Sequence, residues 1–290
     1  MSRAALEKAK FQKFLIDAEV GSIGTTNLIY SDDASSVING TSGADVIFDR
    51  GGNDDVFAGR GNDWMVGGAG SDDYHGGTGV DHVAYTNSPT GVVVILDPNR
   101  TIDTNPATSH ARGDTYDSVE GFVGSAHDDF IYAFDASISD TSSFDIYGFD
   151  GNDDIIGSMG RDELRGGDGD DSLQGSGGGD FIYGGEGNDI ITGGSGDDNL
   201  FGSAGADTFV YRLSTDLEGT PIPGGRFDND VIFDWEAGDT ISFLSLPDDY
   251  TPEMMNLSQV GNDTLIYLEG FAFSGTITVL NANAQTDFVF

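Results

Sequence analysis

The chain has 290 residues, twelve Lys and Arg against fifty Asp and Glu, a formal charge of −38 and no cysteine. Such a polyanion repels phosphate-rich partners, nucleic acid or anionic lipid, disulfides and thiolate metal sites are excluded, and no apolar run reaches the roughly eighteen residues of a membrane span. The acid recurs at a fixed period instead of lying in blocks, which points to ligation more than to a solvating tail.

Residues 1–39 read as a helix and a linker. Phe11, Phe14, Leu15 and Ala18 follow helical spacing over Met1–Ala18, with Lys8, Lys10 and Lys13 on the polar side. A helix that covers the open end of a solenoid is expected here, because uncovered strand edges invite pairing. Asn27–Tyr30 is a short strand candidate in the Gly/Ser/Thr-rich linker.

Residues 40–84 hold five copies of a nine-residue phrase, and residues 148–210 hold seven more. The phrase is clearest in Gly184-Gly185-Glu186-Gly187-Asn188-Asp189-Ile190-Ile191-Thr192: glycines in slots one, two and four, aspartate in slot six, a large apolar residue in slot eight. The first six slots are turn chemistry, and the last three are a short strand with one side chain inward. Two phrases, eighteen residues, therefore make one coil of a solenoid, and identical slots two phrases apart stack at ~4.8 Å.

In the first block slot six is Asp45, Asp54, Asp63, Asp72 and Asp81, and slot eight is Ile47, Val56, Met65, Tyr74 and Val83. Stacking pairs Asp45 with Asp63, Asp54 with Asp72, and Asp63 with Asp81. His75 and His82 take slots expected to face the surface. In the second block slot six is Asp153, Asp162, Asp171, Asp180, Asp189, Asp198 and Asp207. The pairs there are Asp153 with Asp171, Asp162 with Asp180, Asp171 with Asp189, Asp180 with Asp198, and Asp189 with Asp207. Inward residues are Ile155, Leu164, Leu173, Ile182, Ile191, Leu200 and Phe209. Turns of this kind leave carbonyl oxygens free, and an all-oxygen donor set suits a hard ion such as Ca2+, about eight or more ions in all.

Residues 85–147 interrupt the period. Gly91–Leu96 is a strand candidate, a Thr/Asn/Ala/Gly-rich loop leads to Val119–Val123, and Gly124–Tyr132 is one further phrase with Asp129 in slot six and His127 in place of a glycine. The loops here are candidates for a glycan or cell-surface contact, since loops on a rigid scaffold often carry binding. Residues 211–290 change to ordinary sheet composition, with strands expected over Asp230–Trp235, Thr240–Leu244, Thr264–Leu268, Thr276–Leu280 and Asp287–Phe290 as a β cap.

Enzyme motifs are missing from the sequence. It contains no Gly-Lys-Ser/Thr phosphate loop, no His-Glu-x-x-His helix and no Gly-x-Ser-x-Gly elbow. The nine-residue spacing also forbids the twelve-residue EF-hand loop.

The phrase resembles the RTX (hemolysin-type) calcium-binding repeat, which is itself a named repeat class; Gly184–Thr192 and Gly67–His75 carry the likeness best. The resemblance implies an all-β chain: a right-handed parallel β-roll with a short N-terminal helix, a C-terminal β cap, and Ca2+ held between adjacent turns by aspartates and turn carbonyls. Asp230–Phe243 is similar to the cap of serralysin-type C-terminal domains, and Asp287-Phe288-Val289-Phe290 looks like the end of a type I secretion substrate. These likenesses imply a secreted, extracellular protein that engages the type I secretion machinery through its C-terminus. RTX metallopeptidases and alginate epimerases carry a catalytic domain before their repeats, where 39 residues stand here, so no enzyme active site is expected. The alternatives are a C-terminal module or relative of such an enzyme, and a surface or matrix adhesion protein.

Overall fold

A computed structural model describes residues 27–96, 108–133, 143–212, 229–244, 255–268 and 276–281. The expected N-terminal helix, the interior of the interruption and the Asp287–Phe290 strand lie outside the described residues. Among the described residues there is no helix, and the strands pair overwhelmingly in parallel, as a β-roll requires. They fall into two compact units, one within Met1–Ala133 and Asp145–Gly151, the other within Phe134–Phe144 and Asn152–Phe290.

In the first unit Asn27–Tyr30, Asp45–Phe48, Trp64–Val66, His82–Ala84, Gly121–Val123 and Asp145–Asp150 pair side by side in that order. Val37–Asn39, Asp55–Arg60, Asp73–Thr78 and Thr115–Asp117 form a second sheet, and Val93–Ile95 pairs with Phe130–Tyr132. The partners Asn27 with Asp45, Val46 with Trp64, and Asp55 with Asp73 are each eighteen apart, the coil length expected from two phrases. Where the period breaks, the chain re-enters the same sheets: Thr115 takes its place beside Asp73 and Gly121 beside His82.

In the second unit Glu163–Asp168, Phe181–Glu186, Asn199–Ala204 and Asn229–Ile232 form one sheet. Asp154–Ile156, Ser172–Gly177, Ile190–Ser195, Thr208–Arg212 and Thr240–Leu244 form the other. Beyond Asn229–Ile232 the first sheet ends in Thr276–Val279 and two antiparallel strands, Asp263–Leu268 and Met255–Val260. This cap turns the last parallel edge into antiparallel pairing.

Every slot-eight residue predicted to point inward is buried at 1% exposure or less. Period two of the strand explains the choice, since slots seven and nine then face the other way. Two details differ from expectation. Many strands are six residues long, as in Glu163–Asp168, because the ladder continues through the next phrase's glycines, with Gly167 beside Gly185. His82 is buried at 7%, its ring stacked on Trp64 at 4.3 Å and its Nε2 at 3.7 Å from Asp145. Slot-seven side chains eighteen apart lie one above the other, so aromatic neighbours cover each other; His75, in slot nine, is half-exposed and stacked on Phe57 at 4.6 Å.

Candidate metal centre

All twelve slot-six aspartates are at most 3% exposed. Burying an ionised carboxylate without compensation is costly, so where each oxygen goes decides what the site can do. One oxygen is accounted for by the coil itself. In all eight predicted pairs the earlier aspartate's backbone N–H donates to Oδ1 of the later one at 2.7 to 2.9 Å.

The other oxygen behaves in two ways. Oδ2 of Asp54, Asp63, Asp72, Asp81, Asp180, Asp189 and Asp207 is buried with no hydrogen-bond partner. By contrast Asp45 and Asp162 are closed by their own turns: Asp45 Oδ2 accepts the Thr41 N–H at 2.6 Å, and Asp162 Oδ2 accepts the Ser158 N–H. Asp129 is closed likewise by the Ser125 N–H, and its Oδ1 accepts the Val92 N–H at 2.6 Å. The difference follows the second slot of each phrase except that of Asp72, whose Gly68 has no positive φ and whose Oδ2 is open all the same. Thr41, Ser125 and Ser158 keep ordinary backbone angles there, whereas Gly59, Gly77 and Gly185 take φ of 109°, 105° and 125°. These positive angles favour glycine.

Next to the open oxygens the glycines leave a cradle. A Cβ added at Gly184 would come within 3.0 Å of both Asp189 Oδ2 and the Gly202 carbonyl oxygen, and one at Gly175 would meet Asp180 Oδ2 and the Gly193 carbonyl in the same way. Carboxylate and carbonyl oxygens thus converge on a small space without a donor, a set that fits a hard cation. Gly184→Ala is expected to fill that cradle and push the Asp189 carboxylate aside. A cost of about 1–3 kcal/mol from overpacking should appear in urea unfolding at saturating calcium.

Burial raises these carboxyls above the ordinary range. It lifts Asp180 to about 8, with the Asp198 and Asp162 charges adding, and lifts Asp72, Asp81 and Asp189 to about 6. Each carboxylate therefore calls for a neutralising partner, a proton or a metal ion.

The ladder is longer than the twelve aspartates. The Asp72 N–H donates to Asp114 Oδ1 at 2.8 Å and the Asp81 N–H to a Glu120 carboxylate oxygen at 2.9 Å. In the second unit Asp198 donates to Asp230 and Asp207 to Asp239, each at 3.0 Å. Gly113-Asp114-Thr115-Tyr116, Asn229-Asp230-Val231-Ile232 and Gly238-Asp239-Thr240-Ile241 keep slots five to eight of the phrase without its glycine pair. That remnant was the available signal.

The RTX calcium-binding nonapeptide repeat family matches the chain in four copies, over residues 30–65, 50–83, 147–182 and 174–209. No curated protein matches the chain.

Proposed function

The chain carries RTX calcium-binding nonapeptide repeats, and from that premise we propose that it is a secreted calcium-binding β-roll protein. In this reading its repeat blocks fold on meeting extracellular Ca2+ after type I export. The observation that carries the reading is the set of buried Oδ2 atoms that have no hydrogen-bond partner, on Asp54, Asp63, Asp72, Asp81, Asp180, Asp189 and Asp207. Bound calcium supplies the positive charge that lets these carboxylates stay ionised inside the coil.

The residues do the rest. Slot-six aspartates hold an ion together with turn carbonyls, and each coil completes the half-site presented by the one before it. Slot-eight side chains bury one aliphatic or aromatic group per phrase, worth about 1.5–3 kcal/mol. Against that, each coil buries carboxylates that are costly to bury while they lack a neutralising partner. Folding is therefore coupled to ion binding. At −38 the ion-free chain repels itself and stays extended, a state suited to export, and external calcium of roughly 10⁻⁴–10⁻³ M drives folding by mass action. At Asp45 and Asp162 the turn's own N–H groups satisfy the second oxygen, and on those rungs an ion draws its charge chiefly from the open partner, Asp63 or Asp180.

Far-UV circular dichroism of the metal-free chain at neutral pH is expected to be coil-like and to become β-rich on adding Ca2+. Mg2+, which demands a tighter octahedral shell and gives up water reluctantly, should not substitute. A chain already β-rich over residues 40–210 without metal sinks the reading.

A further inference from the structure

One carboxylate in the first unit stands where the phrase has no use for it. Asp49 occupies slot one, a glycine in the neighbouring phrases at Gly40, Gly67 and Gly76. It is 1% exposed, and its Oδ2 accepts the hydroxyl of the buried Tyr74. Its Oδ1 is buried with no hydrogen-bond partner, as are Oδ2 of Asp54 and Oδ2 of Asp72. One carboxylate oxygen from each of Asp49, Asp54 and Asp72 lies within 4.8 Å of the others. A Cβ added at Gly68 would come within 3.0 Å of both Asp49 Oδ1 and the Arg50 carbonyl oxygen. The missing side chain of Gly68 thus leaves a cradle beside the third carboxylate.

The charge count makes this rung unlike the rest. In an unbroken ladder each aspartate serves two rungs, so each added divalent ion arrives with one further carboxylate. Asp49 stands outside the slot-six aspartates, and its charge adds to those of Asp54 and Asp72, the two carboxylates grouped with it. Ligand charge and site rigidity are what set calcium affinity among all-oxygen sites, and the Tyr74 hydroxyl fixes the Asp49 carboxylate in place.

We propose that Asp49, Asp54 and Asp72 hold one calcium ion with three carboxylates, and that this rung is the tightest of the chain and fills first. The proposal rests on the reading of the aspartate ladder as calcium sites. It places the start of calcium-driven ordering in the first unit, at the coil that joins residues 49–54 to residues 67–72.

Terbium titration of the full chain tests it, because the Tyr74 ring at the Asp49 carboxylate will sensitise Tb3+ emission from this rung. The wild-type chain is expected to show a first step of one equivalent, displaced by Ca2+ only after the weaker sites have lost their terbium. Asp49→Asn keeps the shape and the acceptor for Tyr74 but not the charge, and should move the first step to concentrations higher by about tenfold or more. Asp49→Gly restores the common phrase, and should merge that step with the rest while the later steps and the final β content are unchanged. A first step that stays in place in both variants, or tightens in Asp49→Gly, overturns the proposal and leaves the ladder reading intact. If no ion binds anywhere and no β structure forms on adding Ca2+, the ladder reading itself falls and takes this proposal with it.

Discussion

Asp180→Asn is expected to remove two ions from the calcium-loaded protein in native mass spectrometry, where Asp45→Asn removes one at most. Asp180 sits mid-ladder: its Oδ1 accepts the Asp162 N–H at 2.9 Å, and its own N–H donates to Asp198 Oδ1 at 2.8 Å. It is fully buried and its Oδ2 has no hydrogen-bond partner, so the rungs above and below draw on the same carboxylate. Asparagine keeps the acceptor for the Asp162 N–H but sets an N–H2 group among oxygens that already include the Gly193 carbonyl. The backbone ladder can persist while both rungs lose their charge. Losing the buried, charge-bearing partner typically costs about 3–5 kcal/mol, and the loss should appear as a higher calcium midpoint for folding. Asp45 lies at the ladder's edge, where Asn27 Nδ2 and the Thr41 hydroxyl already contact its Oδ1. Loss of only one ion from Asp180→Asn would mean that rungs are independent and that the pair eighteen residues apart is not the functional unit.

Register, core and column were legible because one period controls all three. An eighteen-residue coil sets which residues pair, slot eight then points inward in every phrase, and slot six of alternate phrases stacks on the same edge. Once Ile182 is placed beside Leu200, Asp180 is placed beside Asp198 as well. What escaped was whatever lies beyond an insertion or in an altered slot. Asp114, Glu120, Asp230 and Asp239 extend the column across insertions, since a β-ladder needs strand register and not constant loop length. Outside the Asp72 phrase the split between open and closed turns follows the single residue in slot two. Serine there is ambiguous, because Ser158 closes its aspartate whereas Ser176 and Ser203 adopt φ of 78° and 72°. Asp49 stands in a slot that the clearest phrases give to glycine. Only the fold brings it to Asp54 and Asp72, with Tyr74 from the following coil to orient it.

Acid should partly replace calcium. In the folded column burial raises Asp180 and Asp114 to about 8, and Asp72, Asp81, Asp129 and Asp189 to about 6, against an ordinary value of 3.8. The metal-free folded state therefore holds protons that the unfolded chain releases. Stability from these groups is fully present below about pH 3.8 and is lost as pH rises through 6 and then 8. Metal-free protein at pH 5, above the sequence pI of 4.1, is expected to show β structure in far-UV circular dichroism that is missing at pH 8.5. With calcium present the sign reverses, because protons and ions compete for the same oxygens: the calcium midpoint should rise as pH falls from 8 to 5. General relief of surface repulsion makes a different prediction. At about 1 M NaCl the screening length is roughly 3 Å, enough to quench repulsion between exposed acids while leaving the buried column deprotonated. If such salt at pH 8.5 restores as much β structure as pH 5 does, the switch lies in net charge and the buried aspartates are not its seat. If salt fails where acid succeeds, the column itself is the element that a proton or a calcium ion completes.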